Sequence, residues 1–105
     1  MTDRVPPRLP PQTNAEVSPS IAAILADWPY NLHRTLAHSP DTLAAWMPYA
    51  EHILRQNKLS PRDREIAVLR VGWNCRSDYE WGLHERLARS LGLDDSDITA
   101  ICVGP

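Results

Sequence analysis

Four polar residues on two neighbouring helical segments could do chemistry together: Glu65, then Ser77, Glu80 and His84. The last three fall at i, i+3 and i+7, so a helix would put them on one face within about 60°. Trp81, Leu87, Ala88 and Leu91 fall on that face too, so the polar groups interrupt what should be a buried stripe. Glu65 neighbours Ile66, Leu69 and Trp73 across successive turns of its own segment. A carboxylate on an apolar stripe costs several kcal/mol unless it is paired or protonated. His84 is the natural partner. In a dry pocket burial raises the acid's pKa and pairing opposes that shift, which leaves a Glu–His pair able to move a proton near neutral pH. The same residues also fit a structural ion pair, with Ser77 as a helix cap and Glu80 as a first-turn acid favoured by the helix dipole.

Other chemistries find less support. Cys75 near a helix start would be a nucleophile candidate, although a cysteine beside Trp73 reads more simply as buried. No G-x-S-x-G elbow exists for a serine nucleophile. Glu80-x-x-x-His84 offers two metal ligands where three or four are needed, and H-E-x-x-H is absent, so no metal is expected. His33, His38 and His52 show no convergence. Arg34 could clamp a substrate carboxylate or be a solvated charge. Trp28, Trp46, Trp73 and Trp81 read as core and interface anchors, or as walls for a flat unsaturated ligand.

The elements that position these residues are helices. Ser18 or Ser20 caps a helix over Ile21–Trp28 that Pro29 stops. Asn31–His38 supplies one or two turns. Leu43, Trp46, Met47, Ala50, Ile53 and Leu54 keep helical spacing over Asp41–Arg55, with a kink expected at Pro48. Ser60-Pro61-x-Asp63 starts a helix that runs to about Trp73 or Cys75. Only Arg70 is charged between Ile66 and Trp73, so this helix should be buried on most sides. Ser77 starts the next helix and Leu91-Gly92 ends it. Asp94–Asp97 begins a last one over Ile98–Cys102. No run alternates with period two.

The chain has 105 residues, ten prolines, two cysteines and a formal charge of −2. Pro6, Pro7, Pro10 and Pro11 make residues 1–17 an extended arm before a helical domain at 18–105. No Lys/Arg block suggests nucleic acid. No apolar run suits a leader or a bilayer span, so the chain reads as cytoplasmic with reduced thiols.

The run Asn31-Leu-His-Arg-Thr-Leu-Ala-His38, then Ser60 through Glu65 to Cys75, then Tyr79-Glu-Trp-Gly-Leu-His84, resembles the carboxymuconolactone decarboxylase family over about Arg4–Ile101. The family shares a fold with alkylhydroperoxidase D-like proteins. The resemblance implies an all-α helical bundle assembled as a homo-oligomer, a trimer or hexamer, with sites near subunit contacts. The peroxidase branch resembles E-x11-C-x2-C-x3-H. Anchored on His84, that pattern places Glu65 correctly and puts Ser77 and Glu80 where the cysteines would be. A serine and a carboxylate cannot form a disulfide, so the proton relay is kept and the dithiol is lost. The decarboxylase branch, a lyase activity linked to aromatic-compound catabolism, needs no cofactor. It implies loss of CO₂ from an unsaturated lactone acid and reprotonation of the dienolate. On that reading His84 transfers the proton, Glu65 orients it, Arg34 clamps the carboxylate, and Ser77, Glu80, Trp81 and Cys75 line the pocket. Longer members continue with further helices. The resemblance therefore implies a truncated product, or a chain that closes its core against itself or a complementary chain. Two alternatives stay open: a non-catalytic subunit braced by Glu65–His84, and a peroxide-linked redox protein using Cys75.

Overall fold

The computed structural model describes residues 4–104, so Met1–Asp3 of the arm and the terminal Pro105 lie outside the described residues. Six α-helices and no strand occur among them: α1 Pro19–Asp27, α2 Asn31–Leu36, α3 Pro40–Glu51, α4 Pro61–Asn74, α5 Asp78–Ser90 and α6 Asp95–Val103. The fold is all-α, as expected. Its described residues form two compact units that divide between Arg55 and Gln56.

In the first unit, Ser18 caps α1 by accepting from the Ile21 amide, and Pro19 takes the first helical position. Ile21, Leu25, Ala37 and Leu43 form its core, with Val17, Ile24, Leu36, Trp46 and Met47 packed around them. α3 runs through Pro48, and the departure from α-geometry comes one turn later as a π-helical stretch, His52–Gln56. The end of the arm is not wholly extended. Asn14–Glu16 makes one 3-10 turn, in which Glu16 accepts from the Thr13 amide and hydroxyl.

The second unit holds α4, α5 and α6. Ser60 caps α4 through the Asp63 amide, and Ser77 caps α5 through the Glu80 amide at 3.4 Å. Three residues, Cys75–Ser77, join these helices, which makes α4 and α5 a tight helical hairpin. Leu69, Ala88, Leu93, Ile98 and Ile101 form the core, with Ile66 and Trp81 against it. α6 opens on a capping box in which Asp94 and Asp97 satisfy each other's amides.

α4 is less buried than its composition suggested. Val71 and Trp73 are exposed, and only Glu65, Leu69 and Gly72 are buried. Two packed neighbours cover one stripe of a helix, and within this unit nothing covers the other faces.

Candidate functional site

The hairpin brings together Glu65 and His84, the two residues on which the expected chemistry rests. Glu65 sits one turn into α4 and His84 in the middle of α5. The imidazole Nδ1 lies 2.6 Å from Glu65 Oε2, and both side chains are buried, Glu65 to 1% exposure. Arg64 Nε donates to the other carboxylate oxygen at 3.1 Å. Burial would push the Glu65 carboxyl up. The hydrogen bond and charge of His84, with the Arg64 guanidinium, outweigh that and hold it below the ordinary carboxylate value. Glu65 is thus a carboxylate at neutral pH, and it fixes His84 with the proton on Nδ1.

The other side of the ring faces a second acid. Glu80 Oε2 lies 3.5 Å from His84 Nε2, one helical turn away on α5. That distance is long for a hydrogen bond, and the contact is an ion pair only when His84 is protonated. Glu80 is partly exposed, so the three groups step from the core outwards: Glu65, His84, Glu80.

Beside them opens a cleft of about 440 Å³ lined by Gly72, Trp73, Arg76, Ser77, Asp78 and Trp81. Its volume falls in the range of small-molecule sites. Trp73 and Trp81 stand 5.6 Å apart between ring centroids and inclined at 58°. A Cβ built on Gly72 would lie 3.6 Å from Glu80 Cβ, so α4 and α5 approach closely where Gly72 lines the cleft. Glu65, His84 and Glu80 are not among the lining residues.

The remaining expected site residues divide. Ser77 and Trp81 line the cleft. Cys75 does not, and it is exposed rather than buried beside Trp73, because it caps the C-terminal end of α4 where the chain turns away. Its position is thus a helix C-terminus and not the start expected for an activated thiol. Trp73 is likewise half-exposed and walls the cleft, so it is not a core anchor; Trp28 is the buried tryptophan. Arg34 lies in the first unit, where its guanidinium donates to Gln12 O at 3.1 Å, Asn14 Oδ1 at 2.8 Å and Pro29 O at 3.3 Å. Those bonds tie down the end of the arm. Sequence reasoning missed Arg76, Gly72 and Asp78. The three-residue connection after α4 was the available signal, since a short turn must carry its residues to the mouth of the hairpin.

Among the described residues no group of three or more His, Cys, Asp or Glu side chains is placed to hold a metal ion. The model of the carboxymuconolactone decarboxylase family matches residues 40–104, more than half of the chain. The chain belongs to the carboxymuconolactone decarboxylase family. The match contains α3–α6 and the whole site, whereas the Asn31–His38 run that contributed to the resemblance lies before it. No curated protein and no solved structure matches this carboxymuconolactone decarboxylase family member.

Proposed function

We propose that this protein is a cofactor-independent enzyme of the decarboxylase-like kind, acting on a small unsaturated carboxylic acid or lactone. The observation that carries the reading is the buried 2.6 Å contact between His84 Nδ1 and Glu65. With Nδ1–H donated to a permanent carboxylate, neutral His84 offers Nε2 as a base, and protonated His84 offers Nε2–H as an acid. Departure of CO₂ breaks a C–C bond and leaves its electron pair in the conjugated carbonyl as a dienolate. His84 Nε2–H returns a proton to carbon, and Glu65 offsets the imidazolium charge in between. The transfer leaves His84 neutral, and Glu80, on the solvent side of the ring, relays a proton from water back to Nε2, so that each turnover consumes one proton.

The test is ultraviolet absorbance with a carboxymuconolactone-type substrate. His84→Ala and Glu65→Gln are each expected to lower kcat/KM by about a hundredfold or more. Activity untouched by both substitutions would refute the mechanism.

A second reading is favoured by the near-complete burial of Glu65 and by its absence from the cleft wall. The pair would then only brace α4 against α5. In that case both variants lose thermal stability and the wild-type chain shows no turnover.

A further inference from the structure

Arg76 is the one non-glycine residue with positive φ among the described residues, at 53°. A left-handed backbone costs an ordinary side chain about 1–2 kcal/mol. It lies in the turn between α4 and α5 and lines the Trp73–Trp81 cleft. Its guanidinium makes no hydrogen bond or ion pair among the described residues, unlike Arg55, Arg62, Arg64, Arg70 and Arg89 of the same chain. An unpaired surface arginine is ordinary by itself. This one is a fork of donors at the mouth of a cleft walled by two indoles.

The other charged lining residue is Asp78, at the first position of α5. Its carboxylate is balanced by the free amides and dipole of a 13-residue helix. Among the described residues no carboxylate pairs with the Arg76 guanidinium. The unmet charge of the cleft is therefore positive, and its walls suit a planar π-system.

We infer that the cleft binds a planar aromatic or conjugated carboxylate, with the ring lying against the indoles of Trp73 and Trp81, which already touch each other, and the carboxylate on Arg76. The inference names the substrate class of the site proposed above and rests on that site. It also moves the carboxylate clamp from Arg34 to Arg76. Asp78 makes the arginine decisive, because without it the only fixed charge in the lining repels an anion.

Binding needs no turnover, so it is tested directly. The full chain is titrated with sodium benzoate and, separately, with benzamide, followed by tryptophan fluorescence and by the indole N–H resonances. Benzoate is expected to saturate, to shift Trp73 and Trp81 most, and to bind about tenfold or more tighter than benzamide. Arg76→Gly suits the left-handed backbone and should keep the melting temperature. It should abolish the preference for benzoate, and Arg76→Lys should restore part of it. Equal affinity for the two probes, no saturation, or an unchanged preference in Arg76→Gly would overturn the inference. Arg76-dependent benzoate binding without lactone turnover would sink the decarboxylase reading and leave this one standing. Turnover indifferent to Arg76→Gly would do the reverse.

Discussion

Two buried histidines show how differently one residue type is used. His84 has a carboxylate on each side. His33 lies among the rings of Trp28, Tyr30 and Trp46 at 5.2–5.9 Å, and neither of its ring nitrogens has a hydrogen-bond partner. Burial, and then the charge of Arg55, hold His33 below its ordinary value. Arg55 itself lies 3.8 Å over the Trp28 ring and pairs with Asp27 and Glu51. The unfolded chain takes up a proton near pH 6.5 while folded His33 stays neutral, so stability drains away as pH falls below about 6.5. His33→Phe should raise the melting temperature at pH 5.5 and flatten its slope between pH 7 and 5, since it also removes two unpaired nitrogens worth about 1–3 kcal/mol. Glu65 gives a separate acid limb. Its contribution is present above the ordinary carboxylate value near 4.3 and is lost as pH falls through its depressed folded value. Glu65→Gln should cost about 2 kcal/mol at pH 7 and much less at pH 3, read from denaturant unfolding at each pH. The Glu65–His84 pair could be read in advance because both interrupt apolar stripes. The isolation of His33 could not, because periodicity says which face is buried and nothing about which rings will surround it.

Helix boundaries were the most legible elements. Ser18, Ser60 and Ser77 are caps as their sequence contexts indicate, since each precedes a first turn whose amides need an acceptor. Gly92, with φ at 95°, ends the α5 segment where its backbone freedom is needed. The exposure of Val71, Trp73 and Cys75 was not legible, because an apolar run does not reveal how many neighbours will cover it. The way α6 is fastened leaves no mark in the sequence pattern. Arg70 Nη1 reaches across from α4 to Ile101 O at 2.6 Å and Cys102 O at 3.2 Å, capping the last turn. Gly104 follows at φ 56°, and a Cβ there would overlap that guanidinium. Gly104→Ala should therefore displace Arg70, fray α6 and cost about 1–2 kcal/mol in thermal unfolding. Arg70→Ala should cost a similar amount, and the two should be less than additive.

At the scale of the whole molecule, composition marks a change near residue 17, whereas packing divides the described residues between Arg55 and Gln56. That second division coincides with the end of the helical spacing read over Asp41–Arg55 and falls in the π-helical stretch His52–Gln56. Periodicity marks a helix end there, and it does not say that the side chains beyond it find a different core. The second unit leaves Leu59, Val71, Trp73, Tyr79, Leu91 and Val103 exposed. So much apolar surface on a small unit suits association between copies. Light scattering at micromolar concentration should give a mass above that of one chain, and a monomer at all concentrations would defeat an assembled site. The groups proposed to work together, however, all come from the hairpin of α4 and α5, with the turn that joins them. A single uninterrupted stretch of sequence therefore holds every residue of the proposal, so recombination could exchange what precedes it without separating them, and on that proposal a graft of the stretch onto a relative would carry ligand preference along with it.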